Sequence, residues 1–133
     1  MEPTKTEIVV LGAGPGGYAA AFYAADLGKK VTLIERDPKL GGVCLNRGCI
    51  PSKALLKNAE VVRHLSHANR WGITITGFNA DYGLGVDRSR QVVSRLVKGV
   101  EFLMRKNKID VIRGTARIAS AGRVTVDTTT YAT

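Results

Sequence analysis

Residues 7–35 read EIVVLGAGPGGYAAAFYAADLGKKVTLIE and carry the pattern of a strand, a helix and a second strand. Residues 7–11 are a short, mainly apolar run followed by Gly12, as expected of a buried parallel strand. An alanine-rich helix follows and runs to about Leu27, where Gly28 is suited to a left-handed C-terminal cap. Residues 31–34 form the second strand, which ends at Glu35. We therefore predict a parallel-sheet α/β fold built on this βαβ unit.

The turn between the first strand and the helix contains G-x-G-x-x-G, formed by Gly12, Gly14 and Gly17. In such a turn the first glycine makes the bend, the second lets a pyrophosphate approach, and the third lets the helix pack closely. The helix N-terminus then presents unpaired amides to the phosphates. Glu35 is placed to accept hydrogen bonds from the two hydroxyls of a ribose. A glycine-rich turn without a ligand is the alternative, but the flanking strand, helix and acidic residue favour a dinucleotide site.

A second informative stretch, GGVCLNRGCIPSKALL at residues 41–56, contains the only two cysteines, Cys44 and Cys49. In a regular helix, residues five apart lie about 8–9 Å apart at Cα. A disulfide requires less than about 7 Å. The two thiols can therefore meet only where the backbone leaves a regular helix, and Gly48 and Pro51 predict such a break.

The neighbours of the two cysteines predict different properties for each thiol. We expect a helix over residues 52–69, in which Lys53 lies one turn beyond Cys49. An ammonium group at that distance stabilises a nucleophilic thiolate. Cys44 follows a glycine pair, which predicts a mobile loop and the more accessible thiol. This pattern indicates a redox-active disulfide.

Two other interpretations of the cysteines stay open. The first is a pair of unrelated buried thiols, which is common and carries no chemistry. The second is a zinc site completed by His64 and His67, but these histidines stand only three residues apart, closer than zinc fingers place them. We expect both histidines to be solvent-exposed positions on the helix.

Composition is that of one globular domain of 133 residues, with 44% hydrophobic and 23% charged residues. The net charge of +9 raises the question of nucleic acid, but the basic residues do not alternate with aromatic ones and no nucleic-acid motif is present. The charged N-terminal residues Glu2, Lys5 and Glu7 argue against a signal peptide. We expect no membrane span, because no run of about eighteen apolar residues occurs. The use of cysteine suits a cytoplasmic protein.

The remainder of the chain predicts further α/β elements. A helix is expected over residues 87–107, capped by Asp87, with an apolar stripe of Val93, Leu96, Val97, Val100, Leu103 and Met104. The expected elements around it are a short strand at residues 73–75, a loop at 77–85, a strand at 110–113 and a hairpin that turns at Ala121-Gly122. The threonines at 128–130 predict nothing.

With these residues placed, the chain resembles the pyridine nucleotide-disulfide oxidoreductases, most closely their dihydrolipoamide dehydrogenase branch. The resemblance rests on the glycine motif and on Cys44-Leu45-Asn46-Arg47-Gly48-Cys49-Ile50-Pro51-Ser52-Lys53. Glutathione and mercuric reductases share the C-x4-C spacing but usually carry Val at the positions of Leu45 and Ile50. The resemblance covers residues 1–133 as the N-terminal part of a Rossmann-like FAD-binding domain, incomplete at its C-terminal side.

The resemblance implies a role for each of these residues. Gly12, Gly14 and Gly17 would hold the FAD pyrophosphate and Glu35 the adenosine ribose. Electrons would pass from a dihydrolipoamide-bearing protein to the disulfide, then to FAD, then to NAD. Cys44 would exchange with the substrate and Cys49 would face the flavin. The remaining cofactor contacts would come from Arg36, Gly42, Val43, Lys53, Gly114 and Ala116.

Several features depart from the family pattern. Val43 stands where threonine is frequent, and Arg47 where a small apolar residue is usual. No second dinucleotide motif for NAD follows, and no interface domain that would form a homodimer. We expect the chain to be a fragment that is inactive alone. The alternatives are a non-catalytic nucleotide-binding or interaction module and a related flavin reductase of the glutathione or mercuric type.

Overall fold

A computed structural model describes residues 4–133. Residues 1–3 lie outside the described part, and they include Glu2, one of the charged residues that argue against a signal peptide. The predicted α/β class is confirmed. In chain order the elements are β1 (Thr4–Lys5), β2 (Ile8–Leu11), α1 (Pro15–Asp26), β3 (Val31–Glu35), α2 (Gly42–Asn46), α3 (Cys49–Ser66), α4 (Tyr82–Lys106), β4 (Asp110–Arg113), β5 (Ala116–Ser120), β6 (Arg123–Val126) and β7 (Thr129–Ala132). A single 3-10 turn, Ala68–Trp71, follows α3.

The centre of the fold is a parallel sheet with the strand order β2-β3-β4. Its register pairs Leu11 with Ile34, and Glu35 with Arg113. All five residues of the middle strand β3 are buried. Because the carboxyl ends of the three strands reach the same edge, the glycine turn, Glu35 and Gly114 are brought together there.

Side chains along β3 alternate between its two faces, so its apolar residues contribute to two separate cores. Val31 and Leu33 face α1 and α4, where they join the buried valines and Met104 of α4. Ile34 faces the opposite side and packs with Val124 and Tyr131 of the second sheet. Both faces of β3 are therefore covered, which explains why its sequence is continuously apolar.

The second sheet is a meander with the strand order β1-β7-β6-β5. Strands β5 and β6 form the predicted hairpin, and Gly122 in its turn has φ +67°. Strand β7 was missed, although the threonines at 128–130 are favourable strand residues. The parallel pairing of β7 with β1 was not predicted either, because it joins the two ends of the chain.

Helices α3 and α4 begin earlier than the sequence suggests. Helix α3 starts at Cys49, since Pro51 falls in its first turn, where the missing amide has no intrahelical partner to lose. Helix α4 starts at Tyr82, and its N-cap is Asp81 rather than Asp87. The Oδ1 atom of Asp81 accepts a hydrogen bond of 3.0 Å from the Leu84 amide.

Two glycines concealed the first turn of α4 in the sequence. One of them, Gly85, is buried against α3, where a Cβ would lie 2.6 Å from Nδ2 of Asn58. Glycine at this position leaves room for the Asn58 side chain of α3, although helix propensity disfavours it. The predicted apolar stripe of α4 is correct for Val93, Val97, Val100 and Met104, which are buried, but Leu96 and Leu103 are partly exposed.

The short strand expected at residues 73–75 is wrong. This segment has no strand pairing, and Ile73 is 56% exposed. Its β-branched residues meet no sheet edge, and a strand requires a hydrogen-bonding partner. Within residues 4–133, none of the helices has the length and apolar character needed to cross a membrane.

The capping assignment leads to a direct test. Replacing Asp81 with Ala should lower the free energy of unfolding by about 1 kcal/mol, because the Leu84 amide loses its acceptor. Asp87→Ala is the matched control and should leave stability nearly unchanged, since Asp87 lies inside the helix. Urea unfolding followed by circular dichroism measures both. An equal loss in the two variants would show that the cap is not at Asp81.

Candidate functional site

The glycine turn after β2 has the geometry that a phosphate-binding turn requires. Gly12 has φ +91°, a conformation that strongly favours glycine. A Cβ on Gly17 would overlap the carbonyl oxygen of Gly12, so only glycine lets α1 approach the turn this closely. A Cβ on Gly14 would instead meet no atom within 4 Å. The space in front of the first amides of α1 is therefore open to a ligand.

The carboxylate of Glu35 connects the end of β3 to this turn. Its Oε2 atom accepts a hydrogen bond of 2.7 Å from the Ala13 amide, and Oε1 accepts one of 2.8 Å from the Asp37 amide. The residue is buried, with 7% of its surface exposed. A carboxylate has about four acceptor positions, so two backbone bonds leave capacity for ribose hydroxyls.

Opposing effects act on the pKa of Glu35, and the net result is a pKa below the ordinary value. Burial is the largest influence and favours the neutral acid. It is outweighed by hydrogen bonds from the amides of Asp37, Ala13 and Arg36 and by the charge of Arg113. The ionised carboxylate is therefore the form that the fold stabilises.

A cleft of about 380 Å³ opens at this edge of the sheet. It is lined by seven of the predicted cofactor-contact residues: Gly12, Glu35, Arg36, Gly42, Val43, Gly114 and Ala116. Gly14 adjoins the cleft, since a Cβ on Gly42 would lie 2.8 Å from its Cα. Lys53 lies outside this lining, exposed on α3. Five further residues line the cleft and were not predicted as individual contacts: Leu11, Ile34, Asp37, Arg47 and Thr115.

These residues fit the adenosine and pyrophosphate portion of a dinucleotide. An open glycine turn faces the N-terminus of α1, which favours phosphate. A buried ionised carboxylate lies beside it, which favours ribose hydroxyls over a ribose phosphate. Of the residues that were not predicted, Asp37 directly follows Arg36, and Thr115 lies between Gly114 and Ala116. Their position next to predicted contacts is the signal that could have identified them.

The two cysteines meet at the predicted break in the backbone. Helix α2 ends at Asn46 and α3 begins at Cys49, with Gly48 between them at φ −126° and ψ −106°. Both cysteines are free thiols, and they lie close enough for Cys49 to act on the pKa of Cys44. Interaction with the Cys49 side chain is the main cause of the raised pKa of Cys44, with burial second, while the charge of Lys53 acts in the opposite direction.

The expected accessibility of the two thiols is reversed in the structure. Cys44 is half-buried and packs against the main core, whereas Cys49 is exposed. The cause is that Cys44 lies in α2 rather than in a mobile loop. The glycine pair before it adopts positive φ values and begins this short helix instead of adding flexibility.

His64 and His67 are exposed at the end of α3, as expected. Nε2 of His64 lies 3.4 Å from Oε1 of Glu60, and Nδ1 of His67 lies 2.9 Å from the Arg63 carbonyl oxygen. Within residues 4–133, no group of three or more His, Cys, Asp or Glu side chains is arranged to hold a metal ion.

Comparison with known proteins places this site in a family. The family model described as pyridine nucleotide-disulphide oxidoreductase matches residues 6–133. The chain belongs to that family. Its cleft and its cysteine pair are therefore the features to compare with the curated relatives.

Three relatives are dihydrolipoyl dehydrogenases. The chain is 52% identical to that of Mycobacterium tuberculosis over 126 residues, which is 93% of this chain and 26% of the relative. It is 47% identical to that of Rhizobium etli over 121 residues, covering 90% of this chain and 25% of the relative. For Bacillus subtilis the identity is 44% over 122 residues, with 90% and 26% covered. The chain thus spans about a quarter of the length of the relatives it matches.

The charge state of Glu35 predicts a pH dependence of stability. Because its folded pKa lies below the ordinary 4.5, the carboxylate contributes stability that is present above that pH. This contribution is lost as the pH falls through the folded pKa. Between neutral pH and strongly acidic pH, the free energy of unfolding should therefore fall more steeply in the wild type than in Glu35→Gln.

Urea unfolding at a series of pH values measures this difference. The pKa values of Glu7 and Glu60 are also lowered, but both residues are present in both proteins and their effects cancel. Glu101→Gln, on α4 and outside the lining of the cleft, is the matched control. Parallel curves for the wild type and Glu35→Gln would contradict the assignment.

Proposed function

We propose that the chain is the N-terminal part of the FAD-binding domain of a flavin-dependent dithiol–disulfide oxidoreductase of the dihydrolipoyl dehydrogenase type. The observation that carries the proposal is the proximity of Cys44 and Cys49 at a break between two helices, beside a cleft lined by the glycine turn and Glu35. The curated relatives bear the name of that activity.

The cysteine pair carries the exchange with the substrate. In the oxidised pair, one thiolate of a dihydrolipoamide attacks the Cys44 sulfur, the Cys44–Cys49 bond breaks, and Cys49 leaves as a thiolate. The second substrate thiol then displaces Cys44, which closes the substrate disulfide and leaves two reduced cysteines. The charge of Lys53 favours the thiolate form of Cys44 during these steps.

The cleft supplies the binding of the cofactor. Gly12, Gly14 and Gly17 would hold the FAD pyrophosphate, and Glu35 the adenosine ribose. The walls would be formed by Arg36, Gly42, Val43, Gly114 and Ala116, with Lys53 toward the flavin. When bound, FAD would supply the two-electron redox chemistry that links the reduced cysteine pair to NAD in the complete enzyme.

The rest of the activity depends on parts that this chain does not contain. We propose that the complete protein adds an NAD-binding domain and an interface domain, acts as a homodimer and takes a dihydrolipoamide-bearing protein as substrate. The 133 residues alone would then bind FAD but not turn over substrate. Two free thiols close together suit the reducing cytoplasm, where we place the protein.

Exchange with lipoamide tests the cysteine pair. Oxidised lipoamide should convert both thiols of the chain to one internal disulfide and be released as dihydrolipoamide, so that two electrons and two protons balance. Mass spectrometry after alkylation should show the loss of both labels. Cys44→Ser and Cys49→Ser should each form no internal disulfide. Two thiols that both remain free in excess lipoamide would rule out the exchange.

Flavin binding tests the cleft independently. The chain should bind FAD, followed by flavin fluorescence, and Glu35→Ala should weaken binding by about 1.5–3 kcal/mol, the value of hydrogen bonds to a charged group. Part of this loss would come from the released Ala13 amide, which the same carboxylate holds. Glu60→Ala, on an exposed face of α3, should bind FAD as the wild type does. A wild-type chain that binds ADP but neither FAD nor lipoamide would favour the non-catalytic nucleotide-binding module.

A further inference from the structure

Arg47 makes an ion pair at the candidate nucleotide cleft. Its Nη2 atom lies 3.1 Å from Oδ2 of Asp37. Asp37 belongs to the segment that follows β3, whereas Arg47 is the C-cap of α2. Both residues line the cleft, so the ion pair joins two segments of its lining.

The two partners of this ion pair are held very differently. The Asp37 amide donates to Glu35, and its carbonyl oxygen accepts a hydrogen bond of 2.9 Å from Arg113. Within residues 4–133, the Arg47 guanidinium makes one hydrogen bond, to Asp37, and the side chain is 65% exposed. Asp37 is therefore fixed by its backbone, while the guanidinium is free to move.

An exposed ion pair of this kind contributes little to stability, typically less than about 1 kcal/mol. Releasing Arg47 from Asp37 therefore costs little. A guanidinium has five N–H donors in a planar fork that matches phosphate oxygens. Four of these donors are uncommitted in Arg47, and they lie in the wall of a cleft whose glycine turn already favours phosphate.

The ion pair also borders a second cavity. Asp37 and Arg47 line both the nucleotide cleft and a neighbouring cavity of about 500 Å³. The exposed guanidinium therefore lies at the boundary that the two cavities share.

We propose that Arg47 is a further dinucleotide-binding residue, which leaves Asp37 and donates to the pyrophosphate of the bound ligand. This inference rests on the proposed function, because it needs a dinucleotide in the cleft. An apolar residue at this position could not make the contact. Arg47 would therefore add a charged interaction to pyrophosphate binding.

Binding of ADP and adenosine to the 133-residue chain tests the proposal. ADP carries a pyrophosphate and adenosine carries none, so an effect of Arg47 on the phosphates appears only with ADP. Calorimetry measures ADP binding, and an NMR titration measures the weaker binding of adenosine. We expect Arg47→Leu to weaken ADP binding about threefold or more, with adenosine binding unchanged. The difference should shrink as salt is added, because the contact is exposed and charged.

Two variants separate this role from a structural one. Arg90→Leu removes a cation that lines the neighbouring cavity but not the cleft, and it should bind ADP as the wild type does. Arg47→Lys keeps the charge but loses the planar fork, so it should bind ADP more weakly than the wild type with adenosine binding unchanged, even if Arg47→Leu folds poorly by circular dichroism.

Three results would overturn the inference. Arg47→Leu could bind ADP as tightly as the wild type, or it could lose ADP and adenosine affinity equally. In the case of poor folding of Arg47→Leu, a well-folded Arg47→Lys that loses ADP and adenosine affinity equally would also overturn it. A wild-type chain that binds neither ADP nor FAD would overturn the proposed function itself, and with it this role of Arg47.

Discussion

The carboxylate of Glu35 holds together the two segments on which the cleft depends. One oxygen binds the Ala13 amide in the glycine turn, and the other binds the Asp37 amide after β3. Burying a carboxylate is unfavourable unless its oxygens are hydrogen-bonded. Here several amides and Arg113 more than offset that cost, as the lowered pKa shows. The carboxylate that we propose for ribose binding is therefore also part of the folded frame.

Helix α2 connects the cleft to the two thiols. At its start, the Gly41 amide donates to the Ala13 carbonyl oxygen at 2.8 Å, and Gly42 lies against Gly14. At its end, the break at Gly48 turns the chain so that Cys44 and Cys49 meet. Five residues of helix thus link the phosphate turn to the cysteine pair. A shift at either end of α2 would move the cleft and the thiols together.

Local patterns predicted the elements whose stability comes from near neighbours. The βαβ unit, the strand at 110–113 and the β5–β6 hairpin follow from alternation, glycine positions and short connections. The errors lie where distant contacts decide. Gly85 sits inside α4 because α3 approaches it, and residues 73–75 form no strand because no sheet edge is near them.

The sequence by itself determined the α/β class, the phosphate turn at Gly12, Gly14 and Gly17, the acidic end of β3 and the break between the cysteines. Each of these depends on residues within one or two turns of the chain, where backbone sterics and hydrogen-bonding capacity act directly. Only the tertiary structure decided which thiol is buried and that Arg47 pairs with Asp37 at the cleft. Exposure and this ion pair depend on how α2 packs against the core, and that packing is set by many distant side chains together.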